Sequence, residues 1–141
     1  MTSHPKQPNG ESRGHVLVLE DDPRLQHMLS TVLRLENYDV EGVSSGSSAL
    51  TAIENRPPDL MVLDLIVPDV SGWEVARRLR ADPASAGIPI LVVSSVQDLA
   101  VEAQRMGADD HLAKPFLAQD LVNKVLDLLN RRRLADVPSG V

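Results

Sequence analysis

Residues 15–22 read HVLVLEDD, a nearly continuous apolar run that ends in three acids. Two later stretches have the same character, LMVLD at 60–64 and IPILVVSS at 88–95. A strand that is apolar on both faces is typical of a parallel sheet with helices on each side. The three runs therefore predict buried strands of such a sheet.

Outward from these runs, strand-like and helix-like segments alternate. The strands are predicted at 15–19, 39–43, 60–63, 88–93 and 110–113, and the helices at 23–35, 47–54, 72–80, 98–106 and 117–133. Asp22 followed by Pro23 is a suitable start for the first helix, with an N-cap and proline at the first helical position. Five strands alternating with five helices predict a doubly wound α/β fold.

Length and composition indicate one globular domain. The chain has 141 residues, of which 43% are hydrophobic and 24% charged, which is usual for a folded globular protein. We expect the domain to occupy residues 15–134. The segments 1–14 and 135–141 contain proline, glycine and serine without periodicity, so we expect flexible tails there.

Charge and residue content exclude several classes of function. The net charge of −6 argues against direct binding of nucleic acid, which needs a basic face. The chain has no cysteine, so disulfides and thiolate metal sites are excluded. It shows neither the apolar stretch of a signal peptide nor that of a membrane span, so we expect a cytoplasmic protein without membrane contact.

Chemically active side chains follow the predicted strands at their carboxyl ends, where ligands bind in doubly wound sheets. Acids follow the first and third strands, a hydroxyl group the fourth and an ammonium group the fifth: Glu20, Asp21, Asp64, Ser94 and Lys114. Two carboxylates about 5 Å apart repel each other by roughly 3 kcal/mol, so such a cluster favours a bound cation. Oxygen ligands select Mg²⁺, Mn²⁺ or Ca²⁺, and Mg²⁺ suits carboxylates combined with phosphate oxygens. An aspartate can also form an acyl phosphate.

Taken singly, these residues have ordinary structural explanations. An acid after a strand commonly caps a helix, as expected for Asp22, and a lone lysine usually lies at the surface. Asp64 differs because it ends an apolar run and is followed by apolar residues 65–67, so burial is expected. The combination is more informative than any single member.

Four segments in this order closely resemble the receiver domain of two-component response regulators. They are VLVLEDDP (16–23), PDLMVLDLIVPDVSGWEV (58–75), IPILVVSS (88–95) and GADDHLAKPF (107–116). The resemblance extends from 15 to about 134. It implies a flavodoxin-like parallel sheet with strand order 2-1-3-4-5.

The resemblance also implies a role for each residue of the phosphorylation site. Asp64 would be the phosphoacceptor, and Mg²⁺ would be bound directly by Asp21, through water by Glu20, and by the backbone carbonyl of Ile66. Ser94 would be the switch hydroxyl and Lys114 the partner of the phosphoryl group. A second switch position falls on His111, and the peptide bond before Pro115 is expected to be cis.

Partners follow from the same resemblance. The phosphoryl donor would be a sensor histidine kinase or a histidine phosphotransfer protein, and the output a downstream protein, an output domain or a phosphorylation-dependent homodimer. The chain would catalyse only its own phosphorylation and dephosphorylation. A receiver fragment of a larger response regulator or hybrid histidine kinase remains an alternative, as does a scaffold that is not phosphorylated.

Two apolar residues near the predicted site bear on the lifetime of the acyl phosphate. Ile66 and Val96 lie two positions after Asp64 and Ser94, beside the route of hydrolytic water. Neither side chain can orient a water molecule, so we predict slow hydrolysis. Ile66 also argues against an aspartyl phosphatase, which needs a second aspartate at that position. A flavodoxin-like or dinucleotide-binding protein would need a phosphate-binding loop rich in Gly, Ser or Thr after the first strand. In this chain, residues 20–22 at that position are acidic, which argues against both classes.

Overall fold

The computed structural model describes residues 11–135, apart from the side chains of Arg133 and Ala135. Within this range the predicted alternation of strands and helices is present. The strands are β1 His15–Leu19, β2 Asp39–Val43, β3 Leu60–Leu63, β4 Ile90–Ser94 and β5 Asp110–Ala113. The helices are α1 Pro23–Leu35, α2 Gly46–Asn55, α3 Gly72–Ala81, α4 Leu99–Arg105 and α5 Ala118–Ala135.

The strands form one parallel sheet in the order β2-β1-β3-β4-β5. The register pairs Leu19 of β1 with Val43 of β2 and with Leu63 of β3, so these three strands end at one level. The doubly wound fold and its strand order are confirmed. Such an order places a switch point between β1 and β3, where ligands of these folds bind.

Each face of the sheet carries its own apolar core, because successive residues of a strand point to opposite sides. Val16 and Val18 pack with α1 and α5, whereas Leu17 and Leu19 pack with α2, α3 and α4. All four side chains are at most 1% exposed. Coverage on both faces explains why the strands read as apolar runs rather than as alternating sequences.

The prediction for β4 was wrong at its start, since the strand begins at Ile90 and not at Ile88. Pro89 has no amide hydrogen to donate to a neighbouring strand. The amide of Ile88 donates instead to Ser85 O at 3.1 Å, within the preceding turn. The strand also continues one residue further than predicted, and Ser94 is its last residue.

Helix α4 is the shortest of the five helices. It begins after Asp98, whose φ of +54° is left-handed and whose side chain makes no capping hydrogen bond. By contrast, Asp22 caps α1 as predicted, accepting hydrogen bonds from the amides of Arg24 and Leu25. The start of α4 therefore lacks a stabilising contact that the start of α1 has.

Most of the predicted tails, 1–14 and 135–141, lies outside the described residues. No helix within 11–135 is long and apolar enough to cross a membrane.

Candidate functional site

The site lies at the carboxyl edge of the sheet, where four adjacent strands end. β1 and β3 are followed by acids, β4 ends at Ser94, and β5 is followed by Lys114. The amide of Asp64 donates to Leu19 O at 3.0 Å, which continues the ladder between β3 and β1. The amide of Lys114 donates to Ser94 O at 3.0 Å, which does the same for β5 and β4. The backbone itself thus brings the predicted residues to one place.

Three carboxylates meet at this edge. One oxygen from each of Glu20, Asp21 and Asp64 lies within 4.8 Å of the other two. Glu20 is 1% exposed and Asp64 is 6% exposed, whereas Asp21 is exposed. Three oxygen donors with one open side form a ligand set that suits a hard divalent cation.

Lys114 bridges two of the three acids. Its Nζ donates to Asp64 Oδ2 at 2.6 Å and to Glu20 Oε1 at 2.7 Å. Burial on its own would lower the pKa of Lys114, but these two hydrogen bonds outweigh it and raise the pKa above its ordinary 10.5. Lys114 is therefore a cation. Three carboxylates and one ammonium group leave the cluster with excess negative charge.

Burial raises the pKa of Glu20, whereas burial on its own would lower the pKa of its partner Lys114. Removal from water raises the pKa of this carboxyl above 4.5, although hydrogen bonds from Lys114 and from the amide of Asp22 act against that rise. The amide of Asp22 donates to Glu20 Oε2 at 3.0 Å. A second cation beside Glu20 would favour its ionised form.

The site and the fold agree with one known family. The family described as "Response regulator receiver domain" matches residues 16–126. This chain belongs to the response regulator receiver domain family. The match contains all nine site residues predicted above, and it includes residues of every strand from β1 to β5.

Some relatives of this receiver have names that describe them as DNA-binding regulators. The DNA-binding response regulator MtrA of Mycolicibacterium smegmatis is 42% identical over 121 residues, covering 84% of this chain and 52% of MtrA. The DNA-binding dual master transcriptional regulator RpaA of Synechocystis sp. is 35% identical, covering 82% of this chain and 49% of RpaA. The chain thus spans about half the length of the curated relatives it matches.

Solved structures of receivers match the fold closely. A putative response regulator from Chloroflexus aurantiacus has a TM-score of 0.80 and 34% identity, covering 84% of this chain and 98% of its own. The signal receiver domain of a putative Luxo repressor protein from Vibrio parahaemolyticus also has a TM-score of 0.80, with 32% identity, covering 92% of this chain and 99% of its own.

Ser94 contributes a buried hydroxyl group to the receiver site. The residue is 1% exposed, and its Oγ makes no hydrogen bond within the described structure. A buried hydroxyl without a partner costs about 1–3 kcal/mol. Ser94 therefore has an unused donor beside Lys114, and an added oxygen atom could accept from it.

The other predicted residues surround this centre. The side chain of His111 on β5 is 41% exposed, and its Nδ1 lies 3.9 Å from Asp110 Oδ1. The Lys114–Pro115 peptide bond is cis. Ile66 is 61% exposed, whereas Val96 is half-buried against the core shared by α2, α3 and α4.

Two glycines allow the loop that carries Asp64 to pack closely. A Cβ atom at Gly72 would lie 2.2 Å from Asp64 O, and one at Gly46 would lie 1.7 Å from Val70 O. Asp69, at φ +60°, accepts hydrogen bonds from Ser47 N at 2.9 Å and Ser47 Oγ at 2.6 Å. The loop after β3 is thus held between the starts of α2 and α3. Sequence reasoning missed these contacts because no periodicity marks them.

Proposed function

We propose that this receiver is a signalling switch that accepts a phosphoryl group on Asp64 with Mg²⁺ at the acidic cluster. The observation that carries the proposal is that one oxygen from each of the three carboxylates lies within 4.8 Å of the other two, with Lys114 Nζ 2.6 Å from Asp64 Oδ2. Glu20, Asp21 and Asp64 would hold the ion, together with the carbonyl of Ile66. When bound, Mg²⁺ supplies positive charge to the phosphoryl oxygens.

Strand order supports Asp64 as the acceptor among the three acids. β3 lies between β1, which carries Glu20 and Asp21, and β4, which carries Ser94. Only Asp64 of these acids therefore has metal-binding acids on one side and phosphate-binding donors on the other.

The proposed donor is a phosphohistidine of a sensor kinase or a phosphotransfer protein. A carboxylate oxygen of Asp64 attacks phosphorus, the P–N bond to the donor imidazole breaks, and that nitrogen takes up a proton. Lys114 can turn from the Asp64 oxygen to an oxygen of the phosphoryl group without leaving the site. Its charge then opposes the negative charge that gathers on that group.

Phosphorylation would change the site through local contacts. It adds up to about two negative charges and new acceptor oxygens. Within residues 11–135, Ser94 Oγ has no hydrogen-bond partner, so a phosphoryl oxygen would give it one. Movement of Ser94 would open space near β5 for His111, which is half exposed here. Such contacts shift the population between two states of the surface formed by α4, β5 and α5.

Partners and output are also proposals. We infer that a kinase or phosphotransfer protein donates the phosphoryl group. We also infer that the signal passes from this chain to a protein target or an output domain. The net charge of −6 supports an output without direct contact between this chain and DNA. Catalysis would be limited to the receiver's own phosphorylation and dephosphorylation.

The test is the intact mass of the protein after incubation with acetyl phosphate and Mg²⁺. We expect the gain of one phosphoryl group, which is absent with EDTA, absent in Asp64→Asn and removed by hydroxylamine. Asp127→Asn, an exposed aspartate on α5, is the matched control and should be labelled like the wild type. Labelling of Asp64→Asn at the wild-type rate would reject Asp64 as the acceptor.

A further inference from the structure

Gln26 binds the backbone of the acidic loop from the first turns of α1. Its Nε2 donates to Glu20 O at 2.8 Å and to Val43 O at 2.9 Å, and it lies 3.1 Å from Ser44 Oγ. One amide group thus connects α1 to the ends of β1 and β2.

The neighbouring strand leaves room for this side chain. A Cβ atom at Gly42 would lie 2.6 Å from Gln26 Oε1, so a larger residue on β2 would displace the amide. The carbonyl of Val43 accepts from Glu20 N at 3.1 Å as well as from Gln26. The backbone of Glu20 is therefore fixed at its amide through β2 and at its carbonyl through α1.

This second contact has a direct geometric consequence. The carbonyl of Glu20 belongs to the peptide group that joins Glu20 to Asp21. Fixing that oxygen fixes the plane of the peptide group. It thereby also fixes the directions in which the side chains of Glu20 and Asp21 extend from the backbone. Mg²⁺ is small and requires nearly ideal octahedral coordination, so its binding is sensitive to the directions of these side chains.

We propose that Gln26 is a positioning residue that orients the Glu20–Asp21 peptide for binding of Mg²⁺. The inference rests on the proposed function, because it concerns the ion at that site. The fold does not depend on this amide alone: Asp22 already caps α1, and Leu29 and Leu33 bury its inner face. Loss of the Gln26 donor should therefore weaken Mg²⁺ binding more than it weakens the fold.

The experiment compares Gln26→Met, which keeps the length but removes the donor, with Gln104→Met, the same change at an exposed position of α4. Mg²⁺ is titrated into each full chain by calorimetry, and thermal unfolding is followed with and without Mg²⁺. We expect the dissociation constant for Mg²⁺ to rise about tenfold in Gln26→Met and to stay unchanged in Gln104→Met. A ligand stabilises the folded state according to its affinity, so the rise of Tm with Mg²⁺ should shrink in Gln26→Met.

Gln26→Glu separates geometry from charge. A carboxylate there cannot donate to Glu20 O, but its negative charge would by itself attract a cation. Weaker Mg²⁺ binding in Gln26→Glu supports positioning, and tighter binding overturns it. A purely structural role would lower Tm equally with and without Mg²⁺ and leave the affinity of folded protein unchanged.

The outcomes also separate this inference from the proposed function. A wild-type chain that shows no response to Mg²⁺ would reject both. A wild-type response with a dissociation constant for Gln26→Met within about twofold of wild type would reject the positioning role alone. A Gln26→Met chain that does not fold without Mg²⁺ would make Gln26 a folding residue and would likewise overturn the assignment.

Discussion

Trp73 Nε1 donates a hydrogen bond of 3.0 Å to Glu102 Oε1 and thereby joins α3 to α4. Helix α4 has seven residues, and Asp98 at its start gives it no side-chain cap. Its inner face buries only Leu99 and Ala103. A short helix with so few stabilising contacts depends strongly on this half-buried hydrogen bond. Loss of the bond should therefore loosen α4.

Trp73→Phe should loosen α4 without disrupting the core. Phenylalanine keeps an aromatic ring for packing but cannot donate to Glu102, and loss of such a hydrogen bond costs about 0.5–1.5 kcal/mol. We expect faster amide hydrogen exchange in α4 than in α3, measured by mass spectrometry, and a matching loss of stability in urea. Glu102→Gln keeps an acceptor and is the control. Unchanged exchange in α4 would show that the bond does not hold the helix.

Lys114→Met should destabilise the receiver through its unpaired acids. Lys114 is the cation that bridges buried Glu20 and Asp64, and removal of one partner from a buried ion pair costs up to about 3–5 kcal/mol. Because the lysine side chain is 20% exposed, we expect roughly 2–3 kcal/mol. Urea unfolding in EDTA measures the loss.

Lys124→Met is the matched control for that experiment. Lys124 pairs with Asp110 nearer the surface, and such a pair contributes about 1 kcal/mol or less. Mg²⁺ should restore more stability to Lys114→Met than to Lys124→Met, because the ion can replace the missing charge only at the first site. Equal losses in the two variants would contradict a special role for Lys114 in the acidic cluster.

The bounds predicted for α1 and for every strand except β4 agree with the structure. β1 and β3 are apolar on both faces, so an apolar run marks their extent at 15–19 and 60–63. Convergence of Glu20, Asp64 and Lys114 followed from topology, because parallel strands end at one edge of a sheet. The start of β4 did not follow, since apolar content does not reveal that Pro89 lacks a donor.

Contacts between side chains far apart in the chain were not predictable. Trp73 and Glu102 are 29 positions apart, and no pattern of either helix pairs them. Gln26 occupies a polar position on α1 that sequence alone would assign to solvent. Its role depends on the missing side chain at Gly42, which belongs to another strand. Such features need the relative placement of elements, which local patterns do not contain.

Ile66→Asn and Val96→Glu should each shorten the life of the acyl phosphate at Asp64. Ile66 is 61% exposed beside the site, so an amide there could orient a water molecule that the sec-butyl group of isoleucine cannot. We expect at least a severalfold faster loss of the phosphoryl group after removal of the donor, followed by intact mass. Ile66→Leu is the control and should behave like the wild type. Unchanged dephosphorylation in both polar variants would reject the idea that apolar residues limit hydrolysis.

The Asp110–Lys124 pair should give the receiver a defined dependence on pH. Burial on its own would raise the pKa of Asp110, but hydrogen bonds from His111 N and Lys124 outweigh it and hold the pKa below 3.8. A carboxyl whose pKa is lower in the folded state stabilises the fold above its unfolded-state pKa. That contribution is lost as the pH falls through the folded-state pKa.

Lys124→Met should therefore raise the pKa of Asp110, as measured by carboxyl carbon NMR. The free energy of unfolding should fall by about 1 kcal/mol or less at pH 7, where Asp110 is ionised in both states. The difference between variant and wild type should vanish in acid, below the folded-state pKa of Asp110, because a neutral carboxyl gains little from an ammonium group. In an Asp110→Asn background, Lys124→Met should have no effect at either pH. A loss of stability that persists in acid would assign it to packing of the lysine stem on α5 instead of to charge.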